Sequence, residues 1–168
     1  MKSVVIFLLT YFLAPMVIAQ EVYNSCNEAL EICPQESFSI NNLNSNVTFC
    51  PDCEDDFAFC FTPANSIWLT FTTNAVGGDV QLDFSNLVFE LNAGQDTELN
   101  ATLIQATIPC NSASYTQIGN CVTNATGNFS LNSIGLAANS TFYVVISGDD
   151  QGVGITSPAE FSMDVILS

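Results

Sequence analysis

Two kinds of side chain in this 168-residue sequence can do chemistry, carboxylates and thiols. Against 17 Asp and Glu residues there is one basic residue, Lys2, and no histidine. That imbalance removes most catalytic apparatus. Without His there is no Ser-His-Asp or Cys-His site. Without Lys there is no Schiff base, and without Arg or Lys no cationic clamp on a phosphoryl group. A carboxylate pair remains. A glycosidase sets two carboxyls across a cleft, one with a raised pKa, and Asp79, Asp83, Glu90 and Glu98 are the candidates for such a pair. An aspartic protease needs an Asp-Thr-Gly-type loop, which is missing. Carboxylates are mostly solvated strand and turn residues, so the expectation is a protein that is not an enzyme.

The same carboxylates suggest a cation. Glu54, Asp55 and Asp56 are consecutive, and so are Asp149 and Asp150. Each cluster forces like charges together. Calcium relieves such repulsion by taking several oxygens in flexible geometry. These five residues are the candidate metal ligands and calcium the candidate cofactor, although no EF-hand spacing is present. Two solvated acidic loops are the competing reading. Nucleic acid and anionic lipid are poor partners for this surface, because binding them depends on Lys and Arg.

Residues 1–19 have the form of a secretory signal peptide. Lys2 supplies the positive start, residues 4–13 are apolar apart from Thr10, and Val17 and Ala19 form a small-residue cleavage site. The run is short for a membrane anchor, and no second long apolar run follows. The expected mature chain is one domain, residues 20–168, secreted to the outside or the cell surface and devoid of any basic side chain. All seven cysteines lie in it, at 26, 33, 50, 53, 60, 110 and 121. In an exported chain they favour disulfides. The Cys50-Pro-Asp-Cys53 spacing also resembles a redox or zinc motif, but no His is present and the βα context of a thioredoxin-like site is absent. A Cys110–Cys121 disulfide is expected, closing a hairpin at its strand ends. The other five stay unassigned, and the odd number leaves one thiol free or paired between chains.

The elements that must position these groups read as strands. Residues 67–73 alternate, with Ile67, Leu69 and Phe71 on one face and Trp68, Thr70 and Thr72 on the other. Val80, Leu82 and Phe84 alternate with Gln81 and Asp83, and Phe161, Met163, Val165 and Leu167 share a face. Residues 37–40, 47–49, 57–62, 87–91, 99–108, 115–118 and 134–136 are further candidates. Residues 142–146, Phe-Tyr-Val-Val-Ile, form a continuous aromatic and β-branched run that suits a central strand. Only residues 27–32 look helical, for a turn or two. Short strands between turn signals predict an all-β fold, an antiparallel β-sandwich containing disulfides.

The order of these pieces resembles a family of secreted β-sandwich modules common in Bacteroidota and akin to bacterial pre-peptidase C-terminal domains. The matching pieces are Ser25-Cys26-Asn27-Glu28-Ala29, Ile67-Trp68-Leu69-Thr70-Phe71, Asp96-Thr97-Glu98-Leu99, the Cys110 to Cys121 hairpin, residues 136–148 and residues 161–165. Val122-Thr123 after Cys121, and Asn139 in the late turn, depart from the family pattern. The resemblance implies a jelly-roll-like sandwich, used as an accessory, adhesive or matrix-binding module without catalytic residues.

Two binding modes follow for such a module. Exposed aromatics bind glycans in many sandwiches, and Trp68, Tyr115 and Tyr143 are the candidates, with core packing as the alternative. Self-assembly into a fibre, sheath or surface layer is the other, with the odd cysteine and a free segment from Gln20 to Ser25 available to a neighbour's sheet edge. Sequons at Asn46, Asn100, Asn124, Asn128 and Asn139 mark glycosylation sites if the host modifies them.

Overall fold

The computed structural model describes residues 23–43, 45 and 57–168. A run without polar interruption, such as residues 142–146, must be covered on both faces, whereas an alternating strand needs cover on one. Nine strands occur among the described residues. They are β1 (Leu30–Glu31), β2 (Ser37–Asn41), β3 (Ile67–Thr72), β4 (Gly78–Phe89), β5 (Leu99–Ala106), β6 (Tyr115–Ala125), β7 (Phe129–Leu136), β8 (Thr141–Gly148) and β9 (Phe161–Leu167). One sheet has the order β1-β3-β8-β5-β6 and the other β2-β9-β4-β7. Apart from the parallel β1–β3 pair, every pairing between named strands is antiparallel. Among the described residues helix is limited to two short 3-10 turns, Cys26–Glu28 and Ser112–Ser114. The expected all-β, disulfide-containing sandwich is therefore the fold.

Strand β8 is the middle of the five-stranded sheet, with β3 on one side and β5 on the other. Phe142, Val144 and Ile146 point between the sheets and pack with Ile67, Leu69, Phe71, Leu82, Phe84, Phe161 and Val165. Phe71 and Phe142 stack at 5.5 Å, and Phe84 and Phe129 at 4.5 Å. Burying each such side chain contributes roughly 1.5–3 kcal/mol. The other face of the same sheet is also covered. Tyr143 and Val145 join Cys26, Trp68, Ile104 and Tyr115 in a second cluster, against which Phe57, Phe59 and Phe61 pack. Residues 57–62 are thus an irregular strap over the sheet, not the strand expected from their composition.

The remaining differences have local causes. The expected strands at 80–84 and 87–91 are one strand, β4, whose register shifts at Asn86, a residue with φ 53°. Strand β6 runs through Cys121 to Ala125 because its register with β5 shifts twice. Strands β7 and β8 lie in different sheets, so residues 137–140 cross the sandwich. Gly119 (φ 70°) lets β6 approach β7, since a Cβ there would stand 2.1 Å from the Asn132 carbonyl oxygen. Asn120 completes that seam, donating to the Ser130 carbonyl and accepting from the Asn132 N–H. The start of the described chain is also fixed. The Trp68 N–H donates to the Tyr23 carbonyl at 2.6 Å, so Tyr23 docks on this chain's own β3 and is not free for a neighbour. Residues 20–22 and the candidate strand at 47–49 lie outside the described residues, as does the signal segment.

The expected Cys110–Cys121 disulfide is not formed. Cys26 pairs with Cys110 (Cα–Cα 5.4 Å) and Cys60 with Cys121 (6.5 Å). The register places Cys121 opposite Thr102, within the β5–β6 ladder, while Cys110 lies beyond the far end of both strands. The hairpin is already closed by backbone bonds, and each cysteine instead holds a covering segment onto the sheet. In the chain-entropy model loops this long are worth about 4–5 kcal/mol each. Cys33 is free and exposed.

Non-reducing peptide mapping with an acid-residue or aromatic-directed protease should recover Cys26 joined to Cys110 and Cys60 joined to Cys121. A peptide joining Cys110 to Cys121 would refute the arrangement. At Gly148 a Cβ would stand 2.2 Å from the Ala159 carbonyl oxygen. Gly148→Ala should therefore lower unfolding stability by about 1–3 kcal/mol. Gly127→Ala, which meets nothing within 4 Å, should not. Denaturant melts compare the two.

Candidate functional site

Polar chemistry concentrates where β8 ends. Asp149 follows Gly148, and its backbone N–H donates to the Glu98 carbonyl just ahead of β5. Outward-facing positions on neighbouring strands then meet. Asn100 lies opposite Ser147 in the β5–β8 ladder, and Asn124 sits at the end of β6. Asn100 Nδ2 donates to Asp149 Oδ1 at 3.1 Å, while Asn100 Oδ1 accepts from the Asn124 N–H at 3.0 Å. Asn124 Nδ2 bridges two acids, donating to Glu98 Oε2 at 2.6 Å and to Asp149 Oδ2 at 3.4 Å. Asn124 is at φ 56°, a left-handed conformation that Asn tolerates better than most residues.

Asp96 completes the group. It is 5% exposed; its Oδ1 accepts from the Thr97 N–H, and its Oδ2 is enclosed without a hydrogen-bond partner. Burial pushes the Asp96 carboxyl above the usual carboxylate range, and repulsion from Asp149 and Glu98 adds to the effect, against the backbone N–H bonds of Thr97 and Glu98. Asp83 and Asp164 show the opposite behaviour on the outer face of the four-stranded sheet. Ser130 and Gln81 donate to Asp83, Ser39 and Asn86 donate to Asp164, and both carboxyls are held below the usual range.

The structure distributes the sequence candidates differently from expectation. Asp149 and Asp150 are neighbours in sequence but part in space. Asp149 turns to Asn100 and Asn124, while Asp150 accepts from Gln151 and lines a separate cleft with Thr62, Pro63 and Ser157. Glu54, Asp55 and Asp56 lie outside the described residues. Among the described residues no three carboxyl or thiol groups converge tightly enough to hold an ion as they stand. Trp68, Tyr115 and Tyr143 are buried, at 0%, 7% and 6% exposure, so none offers a stacking ledge to a sugar. Trp68 lies 6.0 Å from Tyr115 and 6.2 Å from Tyr143, under the aromatic strap. The glycosidase candidates have separate surroundings. Asp79 accepts from the Gly135 N–H and Asp83 from Ser130, the Glu90 N–H donates to the Glu160 carbonyl after β4, and Glu98, just ahead of β5, accepts from Asn124. The cleft of about 280 Å³ between Pro34, Phe71, Asn74, Gly77 and Ser168 contains Asp79 and no second carboxylate side chain.

Of the sequons, Asn100 is 2% exposed with its amide engaged, which closes it to modification in the folded chain. Asn124, Asn128 and Asn139 are exposed, and Asn46 lies outside the described residues. Sequence reading missed the Asp96, Glu98, Asn100 alternation as a unit. The available signal was three oxygen-bearing side chains at every second position entering a strand.

No family model matches the chain, and no curated protein matches it. Among solved structures it is similar to the 1.0 Å crystal structure of the pre-peptidase C-terminal domain of a collagenase from Bacillus anthracis. The TM-score is 0.42 and the identity 11%, over 83% of this chain and 94% of that one. No helix among the described residues is long and apolar enough to cross a membrane.

The raised Asp96 pKa fixes the sign of a pH effect. The folded state holds this proton more tightly than the unfolded chain, so stability drains away as pH rises through the folded value. In metal-free buffer at pH 7, Asp96→Asn should raise the melting temperature while keeping the acceptor for Thr97. The gain should vanish below the ordinary carboxylate range. An unchanged or lower neutral-pH melting temperature in the variant would contradict this.

Proposed function

We propose that this chain is a non-catalytic extracellular β-sandwich module that works by association, as a structural or adhesive subunit assembling with copies of itself. The outer face of the four-stranded sheet carries the reading. Register places Ser39, Asp164 and Ser85 in one row, Ser37, Ile166, Asp83 and Ser130 in the next, and Gln81 beside Asn132. This face mixes hydroxyls and amides, which donate and accept hydrogen bonds, with the acceptor-only carboxylates of Asp83 and Asp164. Ile134 and Ile166 are exposed apolar points on it. On such a face hydroxyl and amide groups can pair with their own copies across a two-fold contact. Its carboxylates have no basic partner, so association is opposed by like charge and favoured by screening. The alternative is a glycan- or matrix-binding accessory module. It loses its aromatic ledge and rests on the Ser, Asn and Gln hydroxyls and amides alone.

Light scattering and negative-stain electron microscopy of the mature protein across a salt series test the proposal. Assemblies should grow with ionic strength, and Ile166→Asp on the outer face should return the protein to monomer without lowering its melting temperature. A wild type that stays monomeric at every concentration and salt, or a variant that assembles like wild type, would overturn it. Glycan-array binding by the monomer would then favour the accessory module.

A further inference from the structure

We infer that the cleft at one end of the sandwich, between β3, β9 and the start of β4, receives a lysine side chain from an extended segment of another protein, with Asp79 taking the ammonium. This goes beyond self-association, because a second copy does not supply that group. The only basic side chain of this sequence is Lys2, in the signal-like segment.

Three observations meet here. The first is shape. The cleft holds about 280 Å³, and its apolar lining comes from Pro34, Phe71, Val80 and Leu167. A more open depression of about 340 Å³ adjoins it, sharing Asp79, Val80 and Ser168 and continuing past Gln81 to Asn132. The cleft takes one side chain, and the depression leaves room for the residues that flank it. The second observation is the placement of Asp79. The β4–β7 register shifts between Gly78 and Val80, so Asp79 alone stands opposite two residues, Ile134 and Gly135. Bulges of this kind re-aim a side chain. Asp79 Oδ1 accepts from the Gly135 N–H at 2.9 Å, which leaves Oδ2 without a donor among the described residues. The carboxylate is thus fixed where the two hollows meet, with one oxygen open. A single open oxygen suits the point charge of an ammonium better than the planar fork of a guanidinium. The four-carbon stem of lysine lies along apolar surface while its charged head stays in a polar setting. The third observation is rigidity. Asn74 Oδ1 accepts from the Val76 and Gly77 N–H groups, and Thr73 Oγ1 donates to the Ala137 carbonyl at 2.6 Å. Gly77 is packed so closely that a Cβ would stand 2.2 Å from the Leu136 carbonyl oxygen. The wall is therefore formed before anything binds, which lowers the ordering cost of binding. The net negative charge of the chain adds attraction for a cationic group over longer range.

The test is a titration of the isotope-labelled mature, oxidised protein with the capped tripeptide acetyl-Val-Lys-Val-amide at low salt, followed by amide chemical shifts. Saturable shifts should centre on Gly77, Gly78, Gly135 and Ser168. Asp79→Asn keeps an acceptor for the Gly135 N–H and should weaken binding roughly fivefold. Asp150→Asn, an equal change of net charge in a separate cleft, should bind as wild type. A peptide with norleucine in place of lysine should bind the wild type more weakly, and should bind Asp79→Asn as well as it binds wild type. The norleucine comparison on wild type does not depend on any variant folding. Ile166→Asp should bind the lysine peptide as wild type does, which separates this site from assembly on the outer sheet face. Shifts that never saturate or that spread over the whole surface overturn the inference. So does unchanged binding in Asp79→Asn, or equal binding of the lysine and norleucine peptides. Tighter binding of the matching arginine peptide overturns the assignment to lysine.

Discussion

Two-sided burial of one strand organises this protein. Strand β8 has its Phe142, Val144, Ile146 side in the core between the sheets and its Tyr143, Val145 side under the strap. The first face makes the sandwich. The second demands a third layer, and a 57–62 segment with three phenylalanines and a disulfide supplies it. The price of that arrangement is that the aromatics best suited to bind a ligand are consumed by packing. What remains for recognition is the polar outer sheet face and the strand ends.

Charge is the second constraint. A chain whose only base is Lys2 cannot answer its carboxylates with ion pairs, and it uses amides, hydroxyls and backbone N–H groups instead. Ser39 and Asn86 hold Asp164, Ser130 and Gln81 hold Asp83, the Gly135 N–H holds Asp79, and Asn100 and Asn124 hold Asp149. This explains a surface rich in Asn and Ser without appeal to glycosylation. Such neutral donors are not titrated at high pH, so within these pairs only the carboxylate side responds to acidity.

Much of this was legible in the residues. Alternation at 67–73 and 161–167 placed the correct side chains in the core, and the unbroken run at 142–146 identified the central strand. Where sequence reading failed, the missing information was non-local. Residues 57–62 have strand composition but lie on top of a sheet instead of in one. The break at Asn86 lies inside a strand because β9 continues alongside it. Cysteine pairing followed which segments cover the sheet, not which cysteines are near in sequence. Adjacent Asp149 and Asp150 suggested a site, but successive residues leaving a strand point to opposite sides, so a pair two or more positions apart was the better clue. Asp96 gave no sign of its burial, because its surroundings are non-local: its backbone N–H donates to the Ser157 carbonyl, far along the chain.

The two disulfides among the described residues interleave: Cys60 lies inside the segment spanned by Cys26 and Cys110, and Cys121 lies outside it. On a chain synthesised from its N-terminus, Cys26, Cys33 and Cys60 therefore emerge well before Cys110 and Cys121, their correct partners. During that interval early thiols are exposed to one another, and any bond they form must later be exchanged. Neither native link can form until most of the domain has appeared, and the second cannot form until β6 reaches Cys121. Forming both links therefore needs oxidising conditions, and exchange wherever early thiols have paired with one another first.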